Sequence, residues 1–199
     1  MNQAQSKFGE PLEIVRKKIS SSLTPMVQDF VRQAPFAVLA TASETGDCDA
    51  SPKGGRPGFV RVVDEKHLVL PDIAGNNLFQ SYGNLETNPK AGLLFLIPGC
   101  DWTARVNGRV SLLDAEKGKL KGVAPEVFDP DDNTRLIQGI LLEVEEAYLH
   151  CPRAFTFSKL WDVERIGEKR AEDPNRYWLG RWKEEMKKAG APPLEPDQE

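Results

Sequence analysis

The period of the hydrophobic positions changes along the chain, and each change marks an element. In PLEIVRKKISSSL (11–23), Leu12, Val15, Ile19 and Leu23 recur at helical spacing and predict an amphipathic helix. Thr24-Pro25 then reads as N-cap and first helical residue of a second helix, PMVQDFVRQ, with Met26, Val27, Phe30 and Val31 on its apolar face. From Phe36 the pattern turns strand-like. FAVLATAS (36–43), the turn ETGD and CDASPKG (48–54) predict one hairpin. GFVRVVD (58–64) and HLVLPD (67–72), joined at Asp64-Glu65-Lys66, predict a second. NNLFQSYGNLETNP (76–89) places Leu78, Tyr82 and Leu85 on one helical face, so a helix is expected to start at Asn76 and stop at Asn88-Pro89.

AGLLFLIPG (91–99) reads as a buried strand, and WTARVNGRVSLL (102–113) as a long one alternating around Asn107-Gly108. Residues 114–135 are rich in Lys, Asp, Pro and Gly and predict a loop with one helical turn. LIQGILLEVEEAYLH (136–150) is a further strand with Ile140, Leu142 and Val144 on one face. CPRAFTFSKLWD turns into a helix, WLGRWKEEMKK predicts another, and the tail PPLEPDQE is expected to fray. Six or seven short strands with one interrupting helix predict a mainly β fold with flanking helices, a small barrel rather than a doubly wound sheet. The expected division is a barrel with its N-terminal helices over 1–163, then a helical extension and tail over 164–199.

Composition narrows the classes. With 199 residues, 40% hydrophobic and 28% charged, the chain suits one ordinary globular domain with an appendage. Its 26 basic against 30 acidic residues argue against a broad nucleic-acid surface. No apolar run approaches a membrane span, and MNQAQSKFGEP lacks a secretion signal's apolar core, so a cytoplasmic location without membrane contact is expected. Cys48, Cys100 and Cys151 are odd in number and not at metal-ligand spacing, and two histidines, His67 and His150, make no His-rich metal site.

The residues with chemical potential cluster around the two hairpins. Strand alternation puts Ser51 and Lys53 on one face of DASPKGG, and Phe59 with Arg61 on one face of RPGFVRVV, with Arg56 where that strand begins. If these strands adjoin, Lys53, Arg56 and Arg61 surround one anion beside the turn Gly75-Asn76-Asn77. A helix starting at Asn76 adds its free N–H groups and positive dipole end, a combination suited to a phosphate monoester. Cys151 follows His150 directly, and on a strand such neighbours point oppositely, so mutual activation is not expected. Glu143, Glu145 and Glu146 read as a solvated face, His67 as a strand-surface residue, and Trp178 with Trp182 as one helix face packing on a partner or the barrel.

The order of these segments carries a resemblance. RPGFVRVVDEKHLVLPDIAGNNLFQSYGNLETNPKAGLLFLIPG, followed by TARVNGRV and LHCPRAFTFSKLW, resembles the pyridoxamine 5'-phosphate oxidase-like FMN-binding split barrels, over roughly residues 30 to 162. It is most similar to the branch of probable FMN-dependent enzymes. The resemblance implies a homodimer of split β-barrels with one FMN at each end of the interface. It further implies flavin contacts from Arg56 through Phe59 and Val60 to Arg61, from Leu70 and Pro71 beside Asp72, from Gly75, Asn76 and Asn77 at the phosphate, and from Thr103 beside Arg105. Trp161 and His150 would shield the ring or touch substrate.

Three features depart from the oxidases. Arg61 stands where they carry lysine, Asn76 and Asn77 stand where they carry an Arg-Lys phosphate grip, and their Arg-Leu-His substrate motif is absent. Neutral amides forgo charge-assisted bonds, so Lys53, Arg56, Arg61 or Arg105 must supply the countercharge. Pyridoxamine phosphate is then not the expected substrate. The expectation is a flavin-mediated hydride transfer on another small molecule, with a nicotinamide nucleotide as possible electron donor. The alternatives are a split barrel that binds haem, with His150 as axial ligand, or that stores flavin without turnover, a deazaflavin carrier, and, least supported, an oligonucleotide-binding barrel.

Overall fold

The computed structural model describes residues 2–131 and 134–192, so most of the tail read as frayed, 193–199, lies outside the described residues. The chain divides into two compact units, Met1–Arg153 and Ala154–Glu199.

The first unit holds three short helices, α1 (Gln3–Phe8), α2 (Glu13–Lys17) and α3 (Pro25–Gln33), before any strand. Thr24 caps α3 by accepting the Val27 N–H, and Pro25 needs no donor at the first helical position. Val27, Phe30 and Val31 are buried as their spacing predicts, while Met26 is exposed. The helix expected over 11–23 is cut short at Lys17, and Leu12, Val15 and Ile19 are exposed. The competing interaction is an antiparallel bridge further on, in which Ser20 and Ala147 exchange both backbone bonds at 3.1 and 2.8 Å.

Seven antiparallel strands follow: β1 (Phe36–Ala42), β2 (Cys48–Gly54), β3 (Arg61–Val62), β4 (His67–Ile73), β5 (Lys90–Leu96), β6 (Thr103–Asp114) and β7 (Leu136–His150). Helix α4 (Gln80–Thr87) is inserted between β4 and β5. Sheet order is β2-β1-β5-β6-β7-β4-β3. Core-facing residues meet in register across the strands: Leu39 opposes Leu93, Leu93 opposes Val106, Val110 opposes Leu142, and Leu142 opposes Leu68. These residues and Phe95 make one core, closed at an end by α3. The expected strand GFVRVVD is reduced to two paired residues, because Arg56–Val60 forms a turn in which the Phe59 N–H donates to the Arg56 carbonyl.

A β-bulge sets the path of the two longest strands. Asn107 pairs with Glu146 but Gly108 with Val144, leaving Glu145 as the extra residue. Val144 and Ala147, three apart, both face the core only because the bulge absorbs that residue. Glu145 turns outward to an ion pair with Lys90, and Glu146 accepts from the Asn107 amide, so two of the three glutamates of the expected solvated face are engaged. A Cβ on Gly108 would lie 2.0 Å from the Glu143 carbonyl oxygen. Gly108→Ala must therefore shift β7, and chemical denaturation should show a loss of about 1–3 kcal/mol, the usual cost of overpacking. Unchanged stability would mean that the strands do not approach this closely.

The second unit comprises α5 (Arg153–Ser158, beginning one residue before it), α6 (Val163–Ala171) and α7 (Pro174–Lys188). Asp162 and Asp173 cap α6 and α7 by accepting from Arg165 and Arg176 N–H groups. None of these three helices contains a buried residue.

Candidate functional site

Strands β2 and β4 run near each other without pairing, and side chains span the seam between them. On β2, Asp49, Ser51 and Lys53 face inward, opposite Thr41, Leu39 and Ala37. Leu68, Leu70 and Asp72 face inward on β4. The Lys53 ammonium donates to Asp72 Oδ1 at 2.9 Å, with only 19% and 12% of the two side chains exposed. Tyr82 reaches the same carboxylate from α4. Burial, then the Asp72 charge and hydrogen bond, push its hydroxyl far above the ordinary tyrosine value.

The turn leading to α4 has an unusual backbone. Asn77 and Phe79 adopt positive φ, 58° and 47°, a region that Asn tolerates and an aromatic residue rarely enters. The Asn76 side chain accepts from the Leu78 N–H. The helix starts at Gln80, four residues later than its apolar spacing predicts, because this irregular stretch precedes it. Phe79 sits at its N-cap and no side chain caps the first-turn N–H groups. The Ser81 hydroxyl, in that turn, donates to Asp49.

Together these residues line a cleft of about 310 Å³ formed by Asp49, Ser51, Lys53, Asp72, Gly75–Asn77 and the start of α4. A second hollow of about 270 Å³ continues past Pro52, Pro71 and Phe59 to Glu126. The segment 118–127 closes that side: the Arg56 N–H donates to the Glu126 carbonyl at 2.7 Å, and Leu120 is buried against Gly139. Within the cleft two carboxylates face one ammonium. Positive charge is therefore not in excess among the residues lining this cleft.

The site expected from sequence assembles in part. Ser51, Lys53, Asp72, Gly75, Asn76 and Asn77 share the cleft, and Pro71 lines its continuation. The three cations expected around one anion do not converge. Lys53 is paired with Asp72, Arg56 lies 5.5 Å over the exposed Phe128 ring, and Arg61 is exposed on the face of β3 opposite the core. Val60 and Leu70 are core residues, and Phe59, also buried, lines the second hollow with Pro71. Thr103 is buried opposite His150, and Arg105 donates to the Tyr148 hydroxyl at 3.0 Å. Trp161, in the second unit, stacks on Phe155.

The Cys151 thiol contacts His150 Nδ1 at 3.8 Å, contrary to the alternation rule, because the strand ends at His150. Sequence reasoning missed Asp49, Ser81 and Tyr82. The alternation that selected Ser51 and Lys53 extends to Asp49, whereas Tyr82 read simply as a core position of a helix.

The seam pair has a measurable signature. Lys53→Met or Asp72→Leu alone leaves a mostly buried charge unpaired and should cost about 2–3 kcal/mol, whereas the double variant should approach wild-type stability. Equal losses in singles and double, measured by urea unfolding, would remove the pairing. Tyr82 adds a pH dependence. Its folded value is raised above the unfolded 10.0, so the stability that it contributes is complete below that pH and is lost as the pH rises above it. Wild type should therefore lose more stability than Tyr82→Phe between neutral pH and pH values above 10.0, as followed by thermal unfolding.

Among solved structures, HupZ of Group A Streptococcus is 17% identical, with 62% of this chain and 90% of that one covered and a TM-score of 0.46. A pyridoxamine 5'-phosphate oxidase-type protein of Lactobacillus delbrueckii is 19% identical over 65% and 95%, with a TM-score of 0.47. An FMN-binding protein of Syntrophomonas wolfei is 13% identical over 75% and 98%, with a TM-score of 0.46. No curated protein sequence matches the chain. The family model described as pyridoxamine 5'-phosphate oxidase matches residues 23–151, from just before α3 through the last strand and well over half of the chain. The split β-barrel described above is thus that of the pyridoxamine 5'-phosphate oxidase family, to which this chain belongs.

Proposed function

We propose that the protein is an FMN-binding oxidoreductase acting as a homodimer on a small substrate other than pyridoxamine phosphate. The observation that carries this reading is the seam cleft in a chain of this family, whose irregular turn and uncapped helix start present donors together. Backbone N–H groups of the α4 first turn and the amides of Asn76 and Asn77 would hold the phosphate. Ser51 and the Lys53–Asp72 pair would meet the hydroxyl-bearing chain. When bound, FMN supplies hydride acceptance and donation at its ring, while the protein binds, orients and excludes water.

Surface chemistry supports the proposed dimer. On the outer face of the sheet Ala50, Pro52 and Gly54 on β2, Phe36, Val38 and Ala40 on β1, and Gly92, Leu94 and Leu96 on β5 stand in registered rows. None carries a charge, and each is exposed or half-buried. Such a patch on an antiparallel sheet needs a cover. Pro52 and Gly54 also line the second hollow, so the cleft runs out to the edge of the patch. The cleft lies at the small end of the range for cofactor sites, about 300–1,000 Å³, and a ring extending from it would rest against the second copy.

The test is titration with FMN and riboflavin, followed by flavin absorbance and sedimentation. Wild type should be a dimer that binds FMN at least about tenfold more tightly than riboflavin, the worth of one or two phosphate hydrogen bonds. Leu94→Arg should yield monomers with weakened binding, and the Lys53→Met/Asp72→Leu variant should remain folded but lose affinity. Reduction of the bound flavin by NADH or NADPH would identify the donor. A colourless protein that gains a Soret band with haem would overturn the FMN reading.

A further inference from the structure

The charges of the seam cleft leave one carboxylate over. Its ionisable lining residues are Asp49 and Lys53 on β2, Asp72 on β4 and Tyr82 on α4. Lys53 and Asp72 satisfy each other, and Tyr82 is neutral, its hydroxyl held far above its ordinary value by burial and then by Asp72. Asp49 remains. Half-buried, it accepts the Ser81 hydroxyl through Oδ2, and among the described residues no cation stands at ion-pair distance from it. Its other oxygen, Oδ1, accepts from no described residue.

Ser81 is the second residue of α4, so the chain sets its own anion against the helix start proposed above for the phosphate. The adjoining hollow adds Glu126 to the lining and no further cation. A phosphate monoester near neutral pH carries between one and two charges, with a second pKa of about 6. Beside an unpaired carboxylate the second charge is disfavoured, which holds that pKa up. Keeping the proton does more than relieve repulsion. The P–O–H group can donate to a carboxylate oxygen, a charge-assisted bond of the short, strong kind. A singly charged phosphate also suits neutral donors, which are what Asn76, Asn77 and the first turn of α4 offer.

We propose, resting on the FMN reading of this cleft, that Asp49 makes it selective for a singly charged, protonated phosphate. Oδ2 ties the residue to α4 through Ser81, and Oδ1 accepts a hydrogen bond from the phosphate's remaining O–H. Asp49 thereby sets which charge state of the ligand binds, and FMN is held more tightly in mildly acidic than in mildly alkaline solution.

The full-length protein, freed of flavin and kept in chelator, is titrated with FMN and with riboflavin from about pH 6 to about pH 8. FMN affinity should fall at least about tenfold across that range, in which the protonated fraction of a phosphate of second pKa about 6 falls about fiftyfold. Riboflavin affinity should stay level, since histidine is the side chain that ordinarily titrates there and none lines the cleft. Asp49→Asn keeps an oxygen for Ser81 while removing the charge. It should flatten the FMN curve and bind FMN more tightly than wild type at the alkaline end, a gain that a damaged fold would not produce. In the wild-type complex, the phosphorus NMR signal of bound FMN should stay at its monoanion position above the pH at which free FMN titrates. FMN affinity that is level or rises with pH would overturn the assignment, as would an Asp49→Asn protein with the wild-type slope. So would a bound phosphate that titrates no higher than free FMN, or binding that appears only when magnesium replaces the chelator. These outcomes leave the FMN reading standing, whereas FMN that binds at no pH in the range overturns both.

Discussion

The ion pair between Lys53 and Asp72 is the contact on which the rest of the barrel's working end depends. It joins β2 to β4 at the seam, where no backbone ladder runs between them. A buried pair of this kind contributes little net stability, because desolvating two charges offsets most of their attraction. What it contributes is placement. With the ammonium fixed on one carboxylate oxygen and Tyr82 on the same group, strand edges, turn and helix start are held at one spacing around the cleft. Hydrophobic burial alone has no direction and would not set that spacing.

This arrangement bears on how the proposed phosphate would be received. Lys53, the cation among the residues lining the cleft, is paired with Asp72, so recognition of the proposed phosphate would fall to oriented dipoles: the first turn of α4, the side chains of Asn76 and Asn77, and Ser51. Dipoles at a helix start act over a short range and demand close, fixed geometry. The positive φ values at Asn77 and Phe79 mark strained backbone in that turn, which persists where the surroundings over-determine it.

Much of the fold is legible in local pattern because strand alternation and helical period report which residues must leave water. Thr24-Pro25, the hairpin of β1 and β2, and the inward row Ile140, Leu142 and Val144 all follow that rule. Misreadings arise where a distant partner outbids a local preference. Leu12, Val15 and Ile19 satisfy a helical period, yet Ser20 finds a backbone partner on β7, some 127 residues away, and the helix stops short (147 − 20 = 127). The spacing of Leu78, Tyr82 and Leu85 is also helical, but the turn from Asn76 to Phe79 takes left-handed conformations and Leu78 is left exposed. Arg61 reads as a companion of Lys53 only while Arg56–Val60 is taken for strand. As a turn, that segment carries Phe59 and Val60 into the core and leaves Arg61 outside.

The sequence by itself determined most of the strand inventory, the mainly β class, and the residues Ser51, Lys53 and Gly75–Asn77 as candidates, because alternation and turn chemistry are properties of neighbouring residues, while Asp72 became a candidate only through the family resemblance. Only the tertiary structure decided that Lys53 is neutralised by Asp72, that Tyr82 belongs to their network, and that the cations expected together lie apart. Those outcomes depend on which strand edges meet across the seam and on the bulge that sets the inward face of β7. Both are set by pairings between segments far apart in the chain, which local periodicity does not encode.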